Sequence, residues 1–392
     1  MIKYRAGFHV GTGGTIWNVD MRKSPRLYLV FSSYRRFLIG LTLVLFSTAV
    51  NLEESAVGGE LPPAPDGSFS IVIIPDTQHY RGSGTKATTE DGVALTNKVF
   101  ESWTDWIAAN LDRQRIVFVS HVGDIVDINN RQQWALARRC MDKLHGRVPY
   151  GISVGNHDMT GDGDSSLFQE VFPKSRFAQF KWYGGCYEKP SDAPAVSGNN
   201  ANSVQLFEAG AMEFVALHLE CNAPDDVLQW ANSTLRRHRH RRAMITTHMG
   251  LGPRDKPKTG RDYFDAPKGR MTWTKRHGKH GNSPQQMWEK CFKLHDNLFM
   301  ICCGDQSRTQ AMRQESLGQQ GNTVHELLSD YGAGGLRVMR FIPTMNQIEV
   351  RTWDPLKGVL CEATQIVTDH KEHQFTLRFE MATISTHQRT DP

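Results

Sequence analysis

Short runs of apolar residues recur along the chain, and each run is bounded by polar segments. The first covers residues 71–74, and similar runs follow at 116–119, 150–154, 244–247 and 298–302. The first of them, Ile71-Val72-Ile73-Ile74, is a continuous β-branched run, as expected for a strand buried on both faces of a sheet. The pattern therefore predicts five strands.

Segments whose apolar residues have helical spacing lie between these strands. They cover residues 95–113, 131–146, 225–238 and 284–295. Alternating strands and helices predict an α/β fold with parallel neighbouring strands.

Other parts of the chain are predicted to form a long loop or antiparallel β-structure. Residues 250–283 are polar and rich in Gly, Lys, Arg and His, which indicates a long loop, and long loops in compact domains are often functional. Antiparallel strands are predicted at 203–208 and 212–219, and the remainder to about residue 380 is predicted to be mostly β-structure. That last region includes predicted strands at 336–342, 347–353 and 374–380.

The N-terminal part of the chain predicts export. Residues 1–36 hold seven Lys or Arg residues and one acidic residue, and an apolar run of 14 residues follows. That run is shorter than the roughly 20 residues that cross a bilayer, and small residues end it, as in a secretory signal peptide. We expect residues 1–50 to be a signal peptide or an N-terminal anchor, with a buried helix as the alternative. A linker is predicted at 51–69 and the folded domain at 70–385, in a periplasmic or extracellular protein.

The charge of the chain gives no indication of a nucleic-acid-binding function. The formal net charge of +5 over 392 residues is mild, so no specific nucleic acid is predicted as a partner, and no partner protein is indicated. The basic run at 236–242 predicts a solvated helix end, with an anion-binding patch and membrane or cell-surface association as the alternative.

The seven cysteines lack the spacing of a zinc site. Cys302 and Cys303 are predicted to be core residues, and so is His218.

Five polar clusters directly follow or end predicted strands. They are PDTQH at 75–79, HVGDIVD at 121–127, GNHD at 155–158, TTH at 246–248 and GDQS at 304–307. In an α/β sheet the carboxyl ends of the parallel strands line one crevice, where ligands bind. The five clusters are therefore expected to converge on one site.

The residue types in these clusters suit divalent metal ions. Carboxylate, carboxamide and imidazole groups together bind Mn, Fe, Zn or Mg. Two such ions about 3.5–4 Å apart can hold the attacking and leaving oxygens of a phosphoryl transfer. Asp124 is the natural candidate to bridge two ions, and Gly123 allows the tight backbone turn before it.

Taken together, the motifs resemble those of the calcineurin-like metallophosphoesterase superfamily. The resemblance rests on Asp-x-Gln at 76–78, Gly-Asp-Ile-Val-Asp at 123–127, Gly-Asn-His-Asp at 155–158 and His248, and it covers about 70–355. It implies a four-layer αββα sandwich with mixed central sheets. It also implies hydrolysis of phosphate mono- or diesters at a site with two divalent metal ions, in which a metal-bound hydroxide is the nucleophile.

The resemblance also implies a role for individual residues. Asp76 would bind the first metal, Asp124 would bridge, and Asn156 and His248 would bind the second metal. His157 would face the substrate, stabilising the phosphate or protonating the leaving group. Asp158 would orient His157 through a hydrogen bond.

Two positions depart from the motifs of that superfamily. Gln78 stands where its first motif has His, and the usual Gly-His-x-His is replaced by Gly304-Asp305-Gln306-Ser307. Gln78 and Asp305 can bind a metal through oxygen, whereas Ser307 is a poor ligand. The first-metal site would then be oxygen-rich and favour Mg or Mn over Zn, or be half-empty.

Two alternatives follow from these departures. Nearby imidazoles could supply the missing donors, and the candidates are His79, His277 and His280. The chain could instead be a degenerate, non-catalytic protein that binds metal or polyanions on the same fold.

Overall fold

The computed structural model describes residues 59–86, 92–189, 198–272, 274, 276–332 and 334–381. The predicted signal peptide or anchor at 1–50 lies outside the described residues. Within the described ranges, no helix combines the length and the apolar character that a membrane span requires.

The strands occur throughout the described part of the chain, and most of the interior ones match the predicted runs. In chain order they are β1 (Phe69–Ile74), β2 (Ile116–His121), β3 (Tyr150–Ile152), β4 (Tyr183–Cys186), β5 (Ser203–Ala209), β6 (Met212–Leu219), β7 (Arg242–Thr247), β8 (Gly252–Pro253), β9 (Lys268–Gly269), β10 (Leu298–Cys303), β11 (Ala311–Leu317), β12 (Thr323–Ser329), β13 (Leu336–Ile342), β14 (Gln347–Asp354), β15 (Val359–Leu360) and β16 (Phe375–Arg378).

The α-helices lie mainly between the parallel strands, as the alternation predicts. They are α1 (Lys98–Ala109), α2 (Arg131–Asp142), α3 (Ser166–Val171), α4 (Lys174–Phe177), α5 (Asp225–Arg237), α6 (Gly260–Asp265) and α7 (Pro284–Lys290). The predicted helix at 284–295 is divided in the structure, because α7 ends at Lys290 and a single 3₁₀ turn follows at Phe292–Leu294.

Two mixed seven-stranded sheets form the centre of the fold. In the first sheet the order is β15-β14-β13-β1-β2-β3, and β16 also pairs with β14. In the second the order is β11-β12-β10-β7-β6-β5-β4. Strands β1, β2 and β3 run parallel, as do β6, β7, β10 and β12, so each sheet has a parallel centre with antiparallel strands beside it.

Side-chain packing arranges these elements in four layers. Trp103 of α1 and Trp134 of α2 pack in one apolar cluster with Val72 and Val119 of the first sheet. Helices α5 and α7 pack in the same way on the second sheet, and a third cluster joins the inner faces of the two sheets. The predicted αββα sandwich is therefore confirmed.

The inner layer explains why the strands lack polar alternation. Along β1, Ile71 and Ile73 face the other sheet whereas Val72 and Ile74 face the helices. Between the sheets, the Phe118 ring stacks on Phe207 with centroids 4.5 Å apart, and Phe207 stacks on Phe214 at 5.0 Å. A strand between two apolar layers needs apolar residues at every position.

The predicted core residues are buried as expected. Cys302 and Cys303 lie in the interior at the end of β10. His218 is also buried, and its ring nitrogens are 2.8 Å from the Ser120 hydroxyl and 2.7 Å from the Gln205 amide oxygen. Such pairing compensates the cost of burying an imidazole.

Part of the predicted linker belongs to the folded domain. Leu61 is 2% exposed, and its carbonyl accepts a 3.0 Å hydrogen bond from the Gln114 amide. The backbone N–H of Ala64 donates to the carbonyl of Arg113 at 3.1 Å. From Leu61 onward the chain is therefore packed against the domain, even though its Gly- and Pro-rich composition resembles a linker.

Candidate metal centre

The carboxyl ends of the parallel strands of both sheets meet at one edge of the sandwich. The Thr77 N–H after β1 donates to the Asp124 carbonyl after β2 at 3.1 Å. His248, directly after β7, donates from Nδ1 to the Val122 carbonyl at 3.1 Å, which links the two sheets. The expected convergence of distant polar segments is thus found at this edge.

Three buried side chains form the centre of the site. One ligand atom from each of Asp76, Asp124 and His248 lies within 4.8 Å of the other two. The Nε2 atom of His248 is 3.1 Å from Asp124 Oδ1 and 3.9 Å from Asp76 Oδ2. Because Nδ1 is engaged by a backbone carbonyl, Nε2 is the nitrogen available to a ligand, as is usual for metal-binding histidines.

Asp305 joins this group from the end of β10. Its Oδ1 lies 3.5 Å from His248 Nε2, and its backbone N–H donates to Asp76 Oδ2 at 3.3 Å. Ser307 is exposed and takes no part in the cluster. The altered motif therefore contributes a carboxylate through Asp305 and no side chain through Ser307.

Several polar atoms of the site are buried without a hydrogen-bond partner. Both amide atoms of Asn156 are in this state, as is Asp76 Oδ1. Leaving buried polar atoms unpaired costs free energy, so such atoms are rare unless they serve a ligand. Oxygen and nitrogen donors gathered in this way fit divalent cations.

Gln78 contacts the centre differently from the expected ligand. Its Nε2 donates a 2.8 Å hydrogen bond to Asp124 Oδ2. In this orientation Gln78 positions the carboxylate, and coordination through its carbonyl oxygen requires rotation of the amide.

His157 lies at the rim of the centre and is partly exposed. Its backbone N–H donates to Asp124 Oδ1 at 2.8 Å, and its Nδ1 donates to the Asp127 carbonyl at 2.8 Å. The Lys86 ammonium is 3.1 Å from the same Nδ1 and 2.9 Å from Asp127 Oδ1. The other ring nitrogen, Nε2, is therefore the one available to a substrate.

The expected hydrogen bond between Asp158 and His157 is replaced by bonds to the backbone. Asp158 accepts from the N–H groups of Ile125 at 2.8 Å, Val126 at 3.1 Å and Gly155 at 2.7 Å. Its carboxylate thus joins the loops after β2 and β3, and the Asp127 carbonyl orients His157 instead.

The pKa values of the side chains in the centre are shifted because several carboxyl groups are buried close together. Burial and the neighbouring Asp330 raise the pKa of Asp76 well above its usual range. Burial also favours a high pKa for Asp124, but the charge and hydrogen bonds of His248 and His157 lower it to about 2. Burial lowers the pKa of His248, whereas Asp124 and Asp76 more than offset this and raise it well above the ordinary value. A bound cation would relieve the repulsion among these carboxylates.

Asp330 is a further buried carboxylate near the centre that the sequence motifs do not indicate. Its charge interacts with that of Asp76, and burial and the nearby carboxylates of Asp124 and Asp305 raise its pKa to about 7. Asp330 directly follows β12, so it repeats the pattern of the five predicted clusters. The sequence pattern predicts mostly β-structure in this region without marking the bounds of β12, so it does not mark the position that follows this strand.

The three histidines expected as alternative imidazole donors lie outside the buried cluster. His79 is half-buried beside Gly332, and His280 is exposed. His277 is buried with its Nε2 3.4 Å from Glu220 Oε2. Within the described ranges, none of these three histidines belongs to the buried group of Asp76, Asp124 and His248, whose ligand atoms lie within 4.8 Å of one another.

Comparison with known proteins gives distant similarities. No family model matches the chain. It is 26% identical over 312 residues to the uncharacterized protein YvnB of Bacillus subtilis (strain 168), an alignment that covers 76% of this chain and 21% of YvnB. The chain therefore spans about a fifth of the length of that relative.

Similar solved structures include two proteins named as nucleotidases. One is a 5'-nucleotidase precursor from Thermus thermophilus, with a TM-score of 0.41, 12% identity, and coverage of 75% of this chain and 52% of that chain. The other is the NAD nucleotidase NadN of Haemophilus influenzae, with a TM-score of 0.39, 12% identity, and coverage of 70% and 48%. This chain thus spans about half of each structure.

Proposed function

We propose that the protein is an exported, divalent-metal-dependent hydrolase of phosphate mono- or diesters. The observation that carries the proposal is the buried cluster of Asp76, Asp124 and His248, whose ligand atoms face one another. The unpartnered amide of Asn156 at the same edge supports it. A cluster of this kind is costly to bury unless a cation binds it.

The donors divide between two ions around a shared carboxylate. Asp76 and Asp305, with Gln78 after amide rotation, would hold one ion, and Asn156 and His248 would hold the other. Asp124, which contacts both Gln78 and His248, would be shared by the two sets. Bound divalent ions supply Lewis acidity and acidify coordinated water, which is the chemistry that phosphoester hydrolysis needs.

The oxygen content of the cluster favours hard cations. Three carboxylates and two carboxamides stand beside a single imidazole among the proposed ligands. Such a set suits Mg or Mn, with Fe as a further possibility, and is less suited to Zn.

His157 and Lys86 would act on the substrate. The His157 ring is held by the Asp127 carbonyl at Nδ1, so Nε2 can donate a hydrogen bond to a phosphoryl oxygen or a proton to the leaving group. The Lys86 ammonium adds positive charge beside it, which favours an anionic substrate.

The proposal is tested by hydrolysis of 4-nitrophenyl phosphate and bis(4-nitrophenyl) phosphate with Mn²⁺, Mg²⁺ or Fe²⁺. We expect activity with metal, its loss in EDTA, and a decrease of at least about a hundredfold in Asp124→Asn. Asp142→Asn, which removes a surface carboxylate that pairs with Arg138 and Arg176, is the control and should keep the wild-type rate. Equal rates for wild type and Asp124→Asn would refute the proposal.

A non-catalytic binding function is the second candidate. It is favoured by Gln78, whose amide N–H faces the bridging carboxylate, and by the exposed position of Ser307. Stable metal binding without turnover of either ester would support this second function over hydrolysis.

Export and cell-surface association are part of the proposal. They rest on the signal-peptide pattern at 1–50, and the surface association rests on the basic run at 236–242, in which Arg236, Arg237 and Arg239 are exposed. N-terminal sequencing of the protein recovered outside the cytoplasm tests export, and an intact Met1 on all of it would contradict cleavage.

A further inference from the structure

Asp330 occupies a position equivalent to that of Asp305 on the neighbouring strand. Strands β10 and β12 run parallel, with Cys302 opposite Leu327 and Cys303 opposite Leu328. Strand β10 ends at Cys303 and β12 at Ser329, so Asp305 and Asp330 both come just after the ends of these strands. Both carboxylates therefore leave the sheet at the edge where the metal centre lies.

The surroundings of Asp330 direct its side chain to the centre. It is 3% exposed, and its charge interacts with those of Asp76, Asp124 and Asp305. Its backbone N–H donates to the Gln310 carbonyl at 2.8 Å, which fixes the turn after β12. Carboxylates gathered in a dry interior repel one another unless a proton or a cation lies between them.

The charge of the cluster supports the presence of a cation there. Asp76, Asp124, Asp305 and Asp330 carry a total charge of −4 when ionised, which equals in magnitude the +4 of two divalent ions. His248 can then be a neutral ligand.

An unpartnered atom provides independent support. The Asp76 side chain is 2% exposed and its Oδ1 has no hydrogen-bond partner. A cation beside Asp76 would satisfy this oxygen, which the described residues leave unpaired.

We propose that Asp330 is a metal ligand of this centre and takes the place of the donor that Ser307 does not provide. The carboxylate comes from the next strand of the sheet, because Ser307 is exposed on the loop after β10. The first-metal side of the centre is then held by Asp76, Asp305 and Asp330, a set of oxygen ligands for a hard cation. This inference rests on the metal centre of the proposed function.

A ligand and a structural carboxylate respond differently to neutralisation. Asp330→Asn keeps the shape of the side chain and removes one negative charge from the cluster. If Asp330 is a ligand, the metal-free variant becomes more stable because repulsion with Asp76 falls, while its metal affinity decreases. If the role is structural, the metal-free variant loses stability and its metal affinity is unchanged.

The experiment measures both quantities on the full chain. Thermal unfolding in EDTA gives the stability of the metal-free protein, and calorimetric titration with Mn²⁺ gives affinity and stoichiometry. For Asp330→Asn we expect a higher Tm in EDTA, at least about tenfold weaker Mn²⁺ binding at one site, and close to one tightly bound ion per chain instead of two. Asp330→Ser serves as a second variant, with the same expected loss of Mn²⁺ affinity, should Asp330→Asn not fold.

Glu326→Gln is the matched control. Glu326 is a fully buried carboxylate of β12, the strand that precedes Asp330, and it pairs with Arg270. Its neutralisation should lower the Tm in EDTA and leave Mn²⁺ affinity at the wild-type value.

The outcomes separate this inference from the proposed function. Wild-type protein that binds no Mn²⁺ contradicts both. Wild-type protein that binds two ions, together with Asp330→Asn that binds two with the same affinity and has a lower Tm in EDTA, overturns the role of Asp330 and leaves the proposed function in place.

Discussion

Glycine residues determine how closely the loops of the metal centre approach each other. A Cβ atom on Gly155 would lie 2.1 Å from the backbone nitrogen of Asp124 and 2.2 Å from its Oδ1. Gly304 is similarly placed against Asp76, where a Cβ would lie 2.1 Å from Oδ1. Distances of this size exclude any side chain unless the backbone moves.

We predict that Gly155→Ala displaces Asp124 and impairs the centre. Mn²⁺ affinity should fall at least about tenfold, and the free energy of unfolding should decrease by roughly 1–3 kcal/mol, as for other overpacked sites. Titration calorimetry and urea unfolding provide the measurements.

Gly161→Ala is the control for this change. A Cβ at Gly161 would have no neighbour within 4 Å, so its Mn²⁺ affinity and stability should remain near wild type. Equal Mn²⁺ affinity in the two variants would contradict the close packing of the loops.

At the level of single residues, the strand-end pattern was a sufficient guide to part of the site. Asp76, Asp124 and His248 each lie shortly after the end of a predicted strand, and a strand end is where such side chains converge. The hydrogen-bond partners of Asp158 depend instead on the relative position of two loops. The sequence alone does not show whether the Asp158 carboxylate accepts hydrogen bonds from backbone N–H groups or from the His157 ring.

Among the elements, the helices illustrate how local signals define boundaries. Helix α2 begins after Asn130, whose side chain accepts a 2.9 Å hydrogen bond from the Gln133 N–H. This cap satisfies one of the N–H groups that the first turn of a helix leaves without a partner.

We predict that Asn130→Ala lowers the free energy of unfolding by about 1 kcal/mol, because the cap is lost. Asn130→Asp retains a capping oxygen and should stay within about 0.5 kcal/mol of wild type. Urea unfolding measures both variants. A loss in Asn130→Asp as large as that in Asn130→Ala would show that another contact of Asn130, such as its donation to the Gly84 carbonyl, matters more.

Interior strands were easier to predict than those near the edge of a sheet. Strand β10 is apolar at every position, whereas β11 carries the polar residues Arg313, Gln314 and Glu315 on the edge of the second sheet. Strand β12 is interior but includes His325 and Glu326, whose burial depends on partners distant in sequence. Such tertiary pairing explains why β11 and β12 were not delimited individually, and why Asp330 was missed with them.

At the scale of the whole molecule, the two sheets are joined by a phenylalanine-rich layer, and the site lies at one edge of this sandwich. The strand and helix rhythm predicts the layers, because each layer has its own periodicity. The start of the folded domain was harder to predict, since the buried residues before β1 are too few and too dispersed to form a periodic pattern.

The contacts of residues 61–64 lead to a prediction about where the domain begins. The Arg340 guanidinium donates to the Pro62 carbonyl and, at 2.7 Å, to the Gln114 amide oxygen, while Gln114 also donates to the carbonyl of Leu61. Without this segment, Arg340 and Gln114 lose partners inside the fold and the apolar surface under Leu61 is exposed. A chain beginning at residue 68 should therefore be less stable than one beginning at residue 59 by roughly 3 kcal/mol, although both contain every strand and helix in the described part of the chain.

Leu61→Ala in the full chain isolates the apolar part of this contribution, with an expected loss of about 2–3 kcal/mol. Urea unfolding compares the two shortened chains and the point variant. If residues 59–67 were a linker in the structural sense, the midpoints of the two shortened chains would coincide and Leu61→Ala would be neutral. A buried leucine and a buried guanidinium with its acceptor on the same segment argue for the opposite result, because both contacts cross from that segment to the first sheet and the loop after α1.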